Sequence, residues 1–244
     1  MTANPPEIRS GVVSPVECLK EGWAAIKDQY WLIFGIVFVG VLIGNVVPVF
    51  LWGPMMCGIY LCLLRKLRGQ PLDFGMLFKG FDYFAPSLVP GAIQFLPPLL
   101  LFIVYFIILF AFATFAAPTG HVSQAEANEF LMTIMLMYAG FMIALVIVGW
   151  ATMIFLLFPY ALIVDHGLSG WESVKTSVRA ALANFPGIFG LLLLSLLLMF
   201  AGVLACYVGA FLTWPIVFTS WAIAYRKVFG DPPTPEDLPQ TMAA

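Results

Sequence analysis

Ser169 to Phe185, S-G-W-E-S-V-K-T-S-V-R-A-A-L-A-N-F, reads as an amphipathic helix set just before a long apolar run. The same device stands near the start of the chain at Ser14 to Tyr30, S-P-V-E-C-L-K-E-G-W-A-A-I-K-D-Q-Y. Laid one on the other, Ser14 meets Ser169, Glu17 meets Glu172 and Lys20 meets Lys175. The bulky positions coincide as well: Val16, Leu19, Trp23, Ile26 and Tyr30 against Trp171, Val174, Val178, Ala181 and Phe185. Steps of three and four along both sets hold one face of a 3.6-residue helix. Ser-x-x-Glu is a capping box, in which the serine oxygen accepts from the N3 backbone N–H and the glutamate reaches back to the N-cap N–H. Pro15 falls at N1, where its missing N–H costs nothing. A lysine one turn past the glutamate, beside aromatic residues, suits a helix lying on a membrane surface. Start signal, lysine and face together point to a duplicated unit.

The apolar segment after each helix decides the class. Of 244 residues, 62% are hydrophobic and 10% charged, against about 25% charged in a soluble domain. Apolar runs of 18 or more residues recur, so the chain is all-α: a polytopic transmembrane helical bundle. The net charge of −2 and the absence of a basic stripe give no support to nucleic-acid binding. Cys18, Cys57, Cys62 and Cys206 lack metal-ligand spacing and read as small hydrophobes, with no disulfide framework. No secretory signal is read at the start, so the first apolar run, from Tyr30, is expected to be an uncleaved span.

In chain order, residues 1–13 read as a flexible tail. The single membrane domain covers 14–230, with related units at about 14–69 and 169–230. Tyr30–Val47 and Phe50–Leu67 make a first hairpin, the second arm interrupted by Gly53-Pro54. Each has about the minimum length for a ~30 Å core, and a re-entrant hairpin is the alternative. Asp73–Phe84 resembles a third surface helix, with Phe74, Leu77, Phe81, Phe84 and Leu88 on one face but no Ser-x-x-Glu cap. The next span runs to about Phe115, and Pro97-Pro98 are expected to kink or break it. Phe130–Val164 is too long for one straight crossing and is either one kinked span or two. Phe185–Leu204 and Val208–Val228 form the last hairpin, where Gly202, Gly209 and Ala210 allow close packing. Its end repeats the first: Pro215, Arg226-Lys227 and Gly230 keep the spacing of Pro54, Arg65-Lys66 and Gly69. Residues 231–244 read as a disordered, acidic, proline-rich tail.

All eleven Lys and Arg can be placed on one side. The loops near Pro48, His121 and Cys206 contain none. The positive-inside rule then puts both termini in the cytoplasm and favours about six spans in three hairpins, each preceded by a cytoplasmic-face amphipathic helix.

Phe158-Pro159-Tyr160-Ala161-Leu162-Ile163-Val164-Asp165, with Gly170, Ser173-Val174-Lys175, Ser177 and Asn184-Phe185 after it, resembles a group of largely uncharacterised bacterial polytopic inner-membrane proteins. That group is related to the membrane domain of some glycerophosphodiester phosphodiesterases. The resemblance is clearest from Phe158 to about Gly230. It implies a multi-pass protein of the bacterial inner membrane. It supplies no catalytic function, and the soluble phosphodiesterase domain has no counterpart in this sequence.

Chemistry-bearing motifs are sparse. His121 and His166 fall on opposite faces of the expected topology, Asp165-His166 reads as a polar helix stop with an acid/base pair at the membrane surface as the alternative, and no nucleophile elbow or phosphate-binding glycine loop occurs. No enzyme and no cofactor is expected. Gln94, between Pro90 and Pro97, is the pocket candidate, its alternative role being one interhelical hydrogen bond. Lys20, Lys27, Lys79, Lys175 and Arg179 are candidate contacts for anionic lipid headgroups. The expected partners are therefore the bilayer, anionic lipids or other membrane proteins. Two functions are consistent with these features: a non-catalytic module organising lipids or partner proteins, or a small-molecule or lipid transporter without ion coupling.

Overall fold

The computed structural model describes residues 6–117, 123–205 and 208–230. His121, Cys206 and the acidic segment from Asp231 lie outside the described residues. Nine α-helices occur among them: α1 (Pro15–Ile26), α2 (Tyr30–Val46), α3 (Pro48–Leu67), α4 (Phe84–Phe115), α5 (Gln124–Phe155), α6 (Pro159–His166), α7 (Gly170–Ala183), α8 (Phe185–Ala205) and α9 (Gly209–Phe229). A 3-10 helix, Phe74–Tyr83, joins α3 to α4. No strand occurs among the described residues.

Four helical stretches are long and apolar enough to cross a membrane: Pro48–Leu67, Phe74–Phe115, Gln124–His166 and Phe185–Leu204. A fifth arises if α1 and α2, bent by 110° at their junction, count as one. The chain is an all-α, membrane-embedded protein. Alone, α2 has 17 residues. Although α9 has 21, it carries Arg226 and Lys227 in its last turn. The chain divides into two compact units, one formed by residues up to Gly91 and from Ile154 onward, the other by Ala92–Met153.

The larger unit is built around α3, α6 and α9. Pro54 and Pro215 lie inside α3 and α9 without ending them. Between α5 and α6 the helix breaks at Leu156–Phe158, and Pro159 restarts it at N1. The backbone freed there is repaired by α7: Ser177 Oγ donates to Phe155 O at 2.7 Å and accepts from Phe158 N at 3.2 Å. A buried helix break needs such a partner, because an unpaired backbone group in an apolar medium is costly. Tyr60 donates its hydroxyl to Leu157 O at 3.1 Å, fixing α3 against the same break.

Small residues carry the helix contacts. The inward face of α1 is Cys18, Gly22 and Ile26, and it packs on α9. A Cβ on Gly22 would stand 2.7 Å from Ser220 Oγ. The 3-10 helix packs on α3 through Leu77 and Gly80. A Cβ on Gly58 would lie 2.0 Å from Leu77 O, and one on Gly80 2.1 Å from Pro54 O. Helix α7 buries Gly170, Ser173, Val174, Thr176, Ser177, Ala180 and Ala181. The aromatic residues turn the other way: Trp23 is 48% and Trp171 55% exposed, and Phe74, Phe78 and Phe81 are exposed too. The bulky stripe read from sequence is divided: Ile26, Leu77 and Val174 are buried with the small residues, whereas Trp23, Phe81 and Trp171 face outward.

Local signals differ between the two related helices. Ser169 accepts from Glu172 N at 3.4 Å and donates to Glu172 Oε2 at 2.9 Å, so the serine half of that box is made. Ser14 stands at the N-cap of α1 with extended backbone but makes no side-chain cap bond. The 3-10 helix is capped by Asp73, which accepts from Gly75 N at 3.0 Å. Of the segment expected to be loose, Arg9 to Val13 is held down: Arg9 N donates to Val228 O at 2.9 Å and Val12 N to Asn184 Oδ1 at 3.1 Å. The last hairpin closes as its glycines suggest, a Cβ on Gly202 standing 2.7 Å from Gly209 O.

In the smaller unit α4 continues through Pro97-Pro98, so of the kink or break expected there the break does not occur. Aromatic rings bridge it to α5, with Tyr105 and Phe141 stacked at 4.0 Å and Phe112 and Phe130 at 5.3 Å. Most of the other apolar side chains of this hairpin are exposed, Phe110, Leu136 and Ile143 among them.

Candidate functional site

Nine of the eleven Lys and Arg, all of them in the larger unit, fall into two groups. One group is spent on holding helix ends together. Arg68, the C-cap of α3, donates Nη2 to Asp165 Oδ1 at 2.5 Å. The other Asp165 oxygen accepts from the Tyr225 hydroxyl at 3.1 Å. Arg226 Nη1 donates to Leu67 O at 3.0 Å, so the ends of α3, α6 and α9 meet at one polar node. Lys66 Nζ binds Asp28 at 2.5 Å and Gln29 Oε1 at 3.2 Å, and this hydrogen bond holds the Asp28 carboxyl below the ordinary carboxylate range. Lys227 Nζ binds Glu21 at 2.8 Å and Glu17 at 3.5 Å. Basic residues in the last turns of α3 and α9 also complement the negative ends of those helices.

Asp165, expected as a polar helix stop, is thus the acceptor that joins three helices. Gly167 ends α6 in the left-handed conformation, φ 62°, with its N–H bonded to Ile163 O at 3.1 Å. With both its oxygens occupied by donors, Asp165 is arranged as a structural carboxylate. Nothing in local sequence marks Arg68 and Tyr225 as its partners, since they come from helices far apart in the chain.

The other group is the set singled out from sequence. Lys20 on α1, Lys27 just after it, Lys79 on the 3-10 helix, and Lys175 and Arg179 on α7 are all exposed. Among the described residues none of the five enters a salt bridge. Lys175 Nζ lies 5.4 Å from the centre of the Trp171 ring, within cation–π range. Each of the three carrier helices sets its cations beside the outward aromatics: Trp23 for α1, Phe78 and Phe81 for the 3-10 helix, and Trp171 for α7. The cause is the packing of these helices. Cys18, Gly22 and Ile26 seat α1, Leu77 and Gly80 seat the 3-10 helix, and a face rich in serine and alanine seats α7, which leaves the cations and the largest aromatic rings outside.

Gln94 is half-buried on α4 in the smaller unit. It does not line the apolar groove of that unit, which is formed by Phe102, Phe106, Phe110 and neighbouring residues. Cys18, Cys57 and Cys62 are buried free thiols, and among the described residues no group of three or more His, Cys, Asp or Glu is placed to hold a metal ion.

Comparison with protein-family models, with curated proteins and with solved structures finds no match.

Proposed function

We propose that this chain is a non-catalytic membrane module that gathers anionic lipids around its surface helices at the cytoplasmic face of a bacterial inner membrane, with both termini on that face. The observation that carries this reading is the division of the cations. Lys66 and Arg68 at the end of α3 and Arg226 and Lys227 at the end of α9 are tied to carboxylates and backbone carbonyls. The five on α1, the 3-10 helix and α7 stay exposed beside outward-facing aromatics. Aromatic residues favour the headgroup level of a bilayer, and each Lys or Arg near an anionic surface contributes about 1 kcal/mol. The resemblance carried by Phe158 to Gly230 supports the inner-membrane placement. The shared order of surface helix, apolar helix and Pro-containing helix ending in Arg-Lys supports a duplication behind α1–α3 and α7–α9.

The test is the selectivity of the protein's perimeter for spin-labelled phosphatidylglycerol over phosphatidylcholine in reconstituted membranes. Wild type is expected to prefer the anionic lipid, the more so at low salt. The combined variant K20Q/K27Q/K79Q/K175Q/R179Q is expected to lose that preference. An unchanged preference in the variant rejects the proposal.

A further inference from the structure

Helix α3 is long enough to cross a bilayer, yet what packs beside its middle argues against a crossing. Gly58 lies ten residues from Pro48 and ten from Arg68, about 15 Å from either end of the helix. The 3-10 helix is seated at that level. A Cβ on Gly58 would stand 2.0 Å from Leu77 O, and one on Gly80 would stand 2.6 Å from Gly58 N. Backbone meets backbone at these contacts, so the depth of the 3-10 helix in a membrane is tied to the depth of the middle of α3. Its outer face carries Lys79 and Asp82, both exposed.

We propose that the α2–α3 hairpin is re-entrant: its tip, around Val47, ends among the acyl chains of one leaflet and returns to the face it entered. Were α3 to cross, Lys79 and Asp82 would face lipid near the bilayer centre. Ionisable side chains at that depth turn instead to a bundle interior or a watery cavity, and a lysine stem is too short to reach the interface from there. Setting the 3-10 helix at headgroup level removes the conflict. Phe74, Phe78 and Phe81 then meet the boundary between headgroups and acyl chains, as on an amphipathic surface helix. The ~15 Å from Gly58 to Pro48 matches half of a ~30 Å hydrocarbon core.

The rest of the hairpin suits that depth. No charge occurs from Tyr30 to Leu64, and Leu42, Val46, Val47 and Phe50 are exposed around the tip. The turn leaves few backbone groups bare. One residue separates α2 from α3, Pro48 at N1 has no N–H to satisfy, and Val47 O accepts from Phe50 N and Leu51 N. Asn45 donates its side-chain amide to Val41 O at 2.8 Å. The half of α3 beyond Gly58 stands outside the core, where Lys66 and Arg68 meet Asp28 and Asp165. The 110° bend between α1 and α2 lets α1 lie along the surface while α2 descends. A hairpin that returns to its own face leaves the placement of Lys and Arg on one side unchanged, but α2 and α3 no longer count among the six expected spans.

Depth is read from nitroxide labels on full-length protein in phosphatidylcholine vesicles. These carry no net charge, so failure here is distinguishable from failure of the anionic-lipid reading. With Cys206 replaced, labels go singly on Leu42→Cys, Val47→Cys and Asp82→Cys, all exposed and all outside the five surface cations. Each fold is checked by circular dichroism, and Val46→Cys repeats the tip reading should Val47→Cys not fold. Accessibility to oxygen rises toward the bilayer centre, and accessibility to a water-soluble nickel chelate falls. The oxygen-to-nickel ratio is expected to be highest at Val47→Cys, lower at Leu42→Cys and lowest at Asp82→Cys, with the first about 7 Å deeper than the second. A crossing hairpin reverses the first two, because its tip reaches the far interface and Leu42→Cys lies deeper. That reversal, oxygen dominance at Asp82→Cys, or ready nickel access at all three positions overturns the proposal.

Discussion

Arg68 Nη2 meets Asp165 Oδ1 at 2.5 Å, joining the end of α3 to the end of α6 across 97 residues of chain. The Asp165 side chain is 3% exposed and that of Arg68 26%. Asp165→Asn keeps a partner for Tyr225 but leaves the guanidinium facing a neutral amide. Breaking one side of a fully buried pair costs about 3–5 kcal/mol. With Arg68 partly solvated, a loss of about 2 kcal/mol is expected here after that screening is allowed for. Denaturant unfolding in detergent measures it. If the pair matters as a pair, D165N combined with Arg68→Gln loses less than the two single variants added together.

Glycines separate into two behaviours under alanine substitution. At Gly58 and Gly80 a Cβ would run into backbone oxygens of Leu77 and Pro54 at 2.0 and 2.1 Å. Backbone cannot rotate aside as a side chain can, so G58A and G80A are each expected to cost about 3 kcal/mol or more by forcing the 3-10 helix off α3. At Gly140 and Gly149 in α5 a Cβ meets nothing within 4 Å. Those substitutions are expected to leave stability unchanged or raise it by up to about 1 kcal/mol through helix propensity. Thermal unfolding of the four variants side by side is the check, and equal losses at all four sites would contradict this packing.

The apolar arms were legible because lipid imposes length and composition directly. Tyr30, Pro48 and Phe185 each begin a helix within two residues of the boundary that hydropathy sets. The orientation of α1, the 3-10 helix and α7 was not legible. A periodic stripe shows that two faces differ, yet in a membrane either face can be the outer one. Gly22, Gly80 and Ser177 became informative only once α9, α3 and the α5–α6 break stood opposite them. At Pro97-Pro98 only the expected break is overturned, because loss of a donor weakens a helix without ending it. The five headgroup candidates could be chosen from sequence because charge on a surface helix is a local property. The Asp165 node could not, since it assembles residues from three distant segments.

Asn184 offers a way to release the first described segment without touching the spans. Its side chain accepts from Val12 N and donates to Arg9 O and Ala180 O. Asn184→Leu removes all three bonds at a buried site, at a cost of about 1–3 kcal/mol. The expected signature is local: faster hydrogen exchange at Val12 and earlier cleavage by protease between Arg9 and Val13, while the amides of α8 stay protected. Val13 also packs on Gly187, where a Cβ would lie 2.3 Å from Val13 O, so Gly187→Ala is expected to give the same signature. Unchanged exchange in both variants would show that the segment is held by something else.

The proposed sidedness rests on Lys79 and Arg179 sharing one aqueous face although two long apolar helices, α4 and α5, separate them in the chain. An even number of crossings keeps them together; an odd number parts them. Single cysteines at these two positions, and one at Asn128 in the first turns of α5, report the parity directly. The native Cys18, Cys57 and Cys62 are buried and poor targets, so the background needs only Cys206 replaced. With a membrane-impermeant maleimide on intact cells, Asn128→Cys is expected to label at once, and Lys79→Cys and Arg179→Cys only after the membrane is opened. Labelling of Lys79→Cys and Arg179→Cys from different sides would mean that residues 84–166 cross an odd number of times, and the positive-inside argument would then lose its basis.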